Sequence, residues 1–509
     1  MNDGWIVARS ATPYDAGMRL NGTRLLVLAL CLSAAAPVGT NRAATPTQAA
    51  VLEPAMNQAA STVDASRADT SVRTRRPRPS PQRDATTVAS APTAAAIVPG
   101  SNNRASVYML ATYAVTATIA VATGRITVAT TIVAKNDSGS AVDRIELNTI
   151  AARLGAIAVT SASVDGKPVT VSVKDQTIVV PLGGLLPAGA TTELRITYRA
   201  TLRTGRGGSD WMFTRYGGTL ALYRWIPWIS RATPFDRPNH GDPFVTGSSS
   251  KVTVRVNADQ SMVLAGPGGT IPTAPARTWL FEVTNVRDVS IVLAKDFTVT
   301  RRTAGSVAVV AYSRPGGVSG SALADQARLA LLREAPRVGV AYPWTSYTVV
   351  ETAGGYGLEA PSMIWIPSTT LSGNLAYIVH HETAHQWFYG LVGNDQQRQP
   401  FADEAVADLL ARTVLGSLRS SRCPYATLDR AITAYTAACY YEKIYIQGGL
   451  VLNDFRVKMG TTRFWTAVKG YIQANRNRLA GSRQLLEALR VASPVDLGPT
   501  LRARFPSLY

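Results

Sequence analysis

From about residue 105 the chain alternates between apolar and polar positions with a period of two. In residues 125–133, Ile126, Val128 and Ile132 fall on one face, the pattern of a strand with one buried side. Val164-Asp165-Gly166-Lys167 marks a hairpin between β-rich runs, because Asp-Gly adopts the tight turn that matches strand twist. Runs at 177–181, 193–198, 251–256 and 288–293 continue the alternation. Short strands at turn-marked spacing predict an all-β, sandwich-like domain over residues 105–300. Strands at 306–312 and 348–352 then flank a helix at 321–337, where Leu323, Ala327, Leu331 and Leu332 keep helical spacing. Two more helices are expected at 375–391, which has no Pro or Gly before Gly390, and at 402–414, opened by Pro400. After Pro424 the chain reads helical, with breaks near Gly460, Gly481 and Pro494. The pattern predicts a multidomain α+β protein: the β domain, a mixed α/β domain at 301–424 and a short helical part at 425–509. The aromatic cluster Tyr223-Arg-Trp-Ile-Pro-Trp228 is expected in the core, with the lining of a substrate mouth as the alternative.

The amino-terminal stretch has another texture. A basic lead ends at Arg24, and residues 25–36 are almost wholly apolar. Such a run is too short for a comfortable membrane span and reads as a secretory signal, or as an uncleaved anchor. Either reading exports the protein. Residues 37–104 are rich in Ala, Thr, Ser, Pro and Arg and are expected to be a disordered linker, since they cannot bury enough apolar area to offset their ordering entropy.

The 509 residues are 46% hydrophobic and carry a formal net charge of +19. Its arginines are mostly scattered, and no basic helix is interleaved with aromatics, so nucleic acid is not an expected partner. Cell-envelope association through the amino-terminal arginines is an expectation, beside the plainer reading of a solvated basic linker. The cysteines are Cys31, Cys423 and Cys439. In an oxidising compartment the last two are expected to pair, and otherwise to be buried thiols.

The chemistry concentrates at His380-His381-Glu382-Thr383-Ala384-His385. The chain has four histidines, and three of them lie here; the fourth, His240, sits in a loop and is not expected to be a ligand. His381 and His385 are four apart, so on a helix they share a face and can hold one metal ion. Glu382 is placed to take a proton from water beside that metal. A catalytic zinc usually takes three protein ligands. Glu404, after eighteen intervening residues, is the third candidate. Asp408, one turn further on, is expected either to orient a zinc histidine or to be solvated.

This pattern resembles the gluzincin peptidases, and more closely their aminopeptidase N-like branch, which carries H-E-x-x-H, eighteen residues and Glu. The resemblance covers roughly residues 105–509. It extends to Gly357-Leu358-Glu359-Ala360, matching part of G-x-M-E-N, and to Tyr445 before Gly448-Gly449. Leu358, Ala360 and Ala405 depart from the family's Met, Asn and Gly. The resemblance implies a thermolysin-like catalytic domain and one Zn2+ per chain on His381, His385 and Glu404. It also implies Glu382 as general base, Tyr445 as oxyanion donor, and Glu359 with Gly357 as binding groups for a peptide's free amino terminus. Tyr440 and Tyr441 are near enough to be confused with Tyr445. The family's large helical cap is expected to be absent or reduced. Three readings follow: an exported zinc aminopeptidase acting on peptides, a zinc endopeptidase of thermolysin type, or a non-enzymatic envelope binding protein.

Overall fold

The structure, a computed structural model, describes residues 96–234, 244–268 and 271–509. The expected signal, nearly all of the expected linker and the His240 loop lie outside the described residues. The described residues belong to one compact unit, Val88–Tyr509.

The period-two runs form strands as their pattern dictates. Met109–Ala120 pairs antiparallel with Arg125–Asn136, and in the second strand Ile126, Val128, Thr130, Ile132 and Ala134 all point inward. Ser249–Ala265 lies parallel to Met109–Ala120 and antiparallel to Ala276–Val286. These strands centre a ten-stranded sheet. A five-stranded sheet, built around Val142–Asn148 and Thr177–Leu186, shares one hydrophobic core with it. The cluster at 223–228 is in that core: Trp228 stacks on Tyr113 with ring centroids 4.1 Å apart, and its indole N–H reaches the Gly247 carbonyl.

A third, mixed sheet follows. Its spatial order is Thr298–Ala304, Val307–Ser313, Ser346–Thr352, Met363–Pro367 and, at the edge, Leu358–Ala360. The parallel pair Val307–Ser313 and Ser346–Thr352 is joined by helix Gly320–Val338, the crossover that parallel strands require. Ser319 caps that helix and Gly339, at φ 72°, closes it, a left-handed position that glycine fills without strain. Glu351 closes the loop between strand and helix by accepting from the backbone N–H groups of Arg314 and Val318.

The helix carrying H-E-x-x-H runs only from Ser372 to Ala384, not to residue 391. Beyond it Trp387, Phe388 and Tyr389 are all buried. There the chain leaves the helix for tight turns, in which the Tyr389 N–H donates to the Val392 carbonyl and the Gly390 N–H to the His385 carbonyl. The next helix, Glu404–Leu415, begins on Asp403, whose carboxylate accepts from the Glu404 N–H at 2.9 Å. After Pro424 the chain is not helical at once: apart from a 3-10 turn at Ile432–Ala434, helix begins at Ala437, and a π-helical turn at Glu442–Gln447 follows before Gly448–Met459. Gly448 permits this close packing, since a Cβ there would lie 2.7 Å from the Ala405 methyl. Alanine at 405 is thus accommodated by glycine opposite it.

Cys423 and Cys439 are bonded, with Cα atoms 5.9 Å apart. Arg419 grips Glu442 with two hydrogen bonds and Gln447 donates to the Cys423 and Pro424 carbonyls. The bridged loop is thereby strapped onto the π turn. Closing a loop with a sequence separation of 16 stabilises by about 3 kcal/mol in the chain-entropy model. Cys439→Ser should lower the unfolding free energy by that amount in urea titrations. An unchanged midpoint and slope would show that the bridge constrains nothing.

Candidate metal centre and its carboxylate cluster

Three side chains from two helices converge. His381 Nε2 lies 3.2 Å from Glu404 Oε2 and 3.2 Å from His385 Nε2, and His385 Nε2 lies 3.3 Å from Glu404 Oε2. All three residues are buried. Zinc bonds of about 2.0–2.1 Å at tetrahedral angles set ligand atoms about 3.3 Å apart, so the donor triangle fits zinc. His385 Nδ1 is 2.9 Å from the Phe388 carbonyl. A carbonyl can only accept, so Nδ1 carries a proton and Nε2 is left to bind metal. His381 Nδ1 is buried with no hydrogen-bond partner among the described residues. Its ring is held by faces instead, with Tyr445 at 5.3 Å and Tyr377 at 5.8 Å between centroids.

The electrostatics of this triangle call for positive charge. Burial would raise the Glu404 carboxyl, but hydrogen bonds from His381 and His385 outweigh it and hold the group well below the ordinary carboxylate range. Burial likewise opposes charge on His385, yet the Glu404 carboxylate raises its pKa well above the usual imidazole value.

A second group of acids borders the first. Ligand atoms of Glu359, Glu382 and His385 lie within 4.8 Å of one another. Glu359 sits on the edge strand Leu358–Ala360, opposite Ile364. Gly357 precedes it, and a Cβ there would lie 2.3 Å from Glu382 Oε1. Glycine is therefore what lets the loop close over Glu382. Burial, then the Glu359 and Glu404 carboxylates, push the Glu382 carboxyl well above its usual pKa. Gln396, which the sequence did not single out, donates one amide nitrogen to Glu359 Oε1 at 3.0 Å and to Asp403 Oδ2 at 2.7 Å.

Tyr445 sits on the π turn. Burial, and then the nearby Glu404 carboxylate, raise its phenol well above the ordinary value, so it remains a donor. Tyr440 and Tyr441 pack against its ring at 5.8 and 4.8 Å. Asp408 is not where a histidine-orienting acid would be. Its carboxylate accepts from Tyr377 at 2.6 Å and from Arg412 at 2.9 and 3.0 Å, and among the described residues no hydrogen bond joins it to an imidazole. The reason is the i,i+4 arginine on its own helix, which captures it. Behind the site His380 Nδ1 meets Glu334 at 2.7 Å, both fully buried. Burial raises Glu334 well above its usual range and lowers His380 to about 4. Burial thus disfavours charge on both partners, and their hydrogen bond ties helix Gly320–Val338 to the H-E-x-x-H helix.

No family model and no curated protein matches this chain. Solved structures do share its fold. One is a glutamate-to-alanine variant of an M1 zinc metallopeptidase from Deinococcus radiodurans, with TM-score 0.61 and 19% identity over 80% of this chain and 96% of that chain. The same variant bound to a Tyr-Ser-Ala substrate gives TM-score 0.60 and 18% identity, over 80% of this chain and 95% of that chain. A two-domain M1 zinc metallopeptidase variant bound to L-tryptophan gives TM-score 0.60 and 19% identity, over 80% and 96%. The chain therefore has the M1 metallopeptidase fold: mixed sheets followed by carboxy-terminal helices.

The converging donors predict one tight zinc site. Calorimetric titration of chelator-stripped protein should show one zinc per chain, and Glu404→Ala should weaken it severely. Stripped protein that takes up no zinc would contradict the assignment.

Proposed function

We propose that this chain is an exported, zinc-dependent aminopeptidase that removes amino-terminal residues from peptides. The observation that carries the reading is the buried Glu359–Glu382 pair beside the His381–His385–Glu404 triangle. Ionised carboxylates out of water need cations or donors. Zinc answers the triangle, and the ammonium of a peptide's first residue answers Glu359. Binding of Tyr-Ser-Ala and L-tryptophan by proteins of the same fold supports a peptide substrate. The Cys423–Cys439 bridge and the apolar run at 25–36 support export.

His381, His385 and Glu404 would hold the zinc, which supplies a Lewis-acid charge that acidifies water and polarises the scissile carbonyl. Glu382 accepts the proton of the attacking water and returns it to the leaving amine. Tyr445, kept protonated, donates its hydroxyl to the oxygen on which negative charge develops. Glu359, with one oxygen held by Gln396, accepts from the substrate ammonium and sets the distance from amino terminus to cleaved bond. Asp408 acts at one remove, fixing Tyr377 against the His381 ring.

Glu382→Ala should retain zinc and lose most turnover. Glu359→Ala should lower kcat/KM on free-amino substrates about 10- to 100-fold, the loss of one charge-assisted hydrogen bond, with zinc content unchanged. N-acetylated substrates should be poor for the native enzyme and indifferent to that substitution. If the native protein instead cuts free and acetylated peptides equally well at internal bonds, it is an endopeptidase.

A further inference from the structure

We propose that Tyr389, clamped by Arg224, Arg287 and Asp288 of the β-rich part, is a positioning residue for His385 and so makes that part a component of the metal site. The proposal rests on His381, His385 and Glu404 being metal ligands.

Tyr389 lies four residues beyond His385 with φ 129°. A bulky residue is strained there, and such strain persists only where the surroundings over-determine the backbone. The surroundings here are unusually restrictive. The Tyr389 hydroxyl donates to the Asp288 carboxylate. The Arg224 and Arg287 guanidinium carbons lie 4.9 and 5.9 Å from the centre of its ring. Arg224 also pairs with Asp288 at 3.5 Å. Arg287 donates to the Gly390 carbonyl at 3.4 Å, and to the carbonyls of Thr246 and Arg478 at 3.1 and 3.3 Å. It thus ties the turn to a β-strand on one side and, on the other, to the loop between helices Thr461–Ala474 and Ser482–Ala492. Gly393 admits this arginine, since a Cβ there would lie 2.1 Å from its Nη1. All of these side chains are buried.

The clamped turn delivers the Phe388 carbonyl that accepts from His385 Nδ1. It closes on His385 a second time through the Gly390 N–H, 2.8 Å from the His385 carbonyl, and is braced by the Tyr389 N–H on Val392 at 2.9 Å. His385 takes its tautomer and ring direction from a turn that its own helix does not hold, because that helix has ended at Ala384. Partners that fix a metal-binding imidazole through its other nitrogen typically change metal affinity 10- to 100-fold when lost.

The test is zinc affinity, read by competition with a chromogenic chelator, on native protein, Tyr389→Phe and Tyr389→Gly. The Phe variant keeps the ring between the guanidinium groups and loses only the hydroxyl. The Gly variant relieves the backbone strain and removes the clamp. Zinc binding should weaken about 10-fold in the first and up to about 100-fold in the second. The metal-free Gly variant should nonetheless unfold as cooperatively as native protein. If Tyr389→Phe binds zinc as tightly as native protein, the positioning role is overturned, whatever its effect on thermal stability. If native protein binds no zinc, the ligand assignment falls, and this proposal with it.

Discussion

Burying four carboxyl groups together is the constraint around which this molecule is arranged. Glu359, Glu382, Asp403 and Glu404 are all buried within one site. Like charges this close cannot all ionise out of water without cations or donors. The structure provides some of the compensation itself. His381 and His385 face Glu404, the Glu404 N–H caps Asp403, and a single Gln396 amide nitrogen serves both Asp403 and Glu359. In the function proposed above, a zinc ion at the triangle and a substrate ammonium at Glu359 supply the rest.

Holding such a cluster requires support from outside it, and the support is drawn from every layer of the fold. The buried Glu334–His380 hydrogen bond fixes the H-E-x-x-H helix from behind, in surroundings that disfavour charge on either partner. The π turn, strapped by the Cys423–Cys439 loop, lays Tyr445 along the His381 ring. Arg287 joins a β-strand, the turn at Gly390 and the loop at Arg478 through three carbonyls. Asp408 belongs to this supporting layer, acting through Tyr377 and Arg412.

Much of this was legible in the sequence because its signals are local. Alternation in 125–133 dictates a one-sided strand, and the four-residue spacing of His381 and His385 dictates a shared helical face. The early end of the helix at Ala384 was not legible, because the groups that hold the turn beyond it, Asp288 on the Tyr389 hydroxyl and Arg287 on the Gly390 carbonyl, are distant in sequence. The π turn escaped for the same reason: it depends on Gly448 meeting Ala405 across two helices. Gln396 carries no local signature, and only the fold brings Glu359 and Asp403 to one amide. Asp408 was judged by its distance along the helix from Glu404, while Arg412, equally near on the other side, captured it.

The central claim is that His381, His385 and Glu404 hold one zinc beside a water. X-ray absorption at the zinc edge of the loaded protein tests it most directly. The account predicts two imidazole nitrogens and two oxygens at about 2.0–2.2 Å. A shell of six oxygens without imidazole scattering, or one containing sulfur, would contradict it.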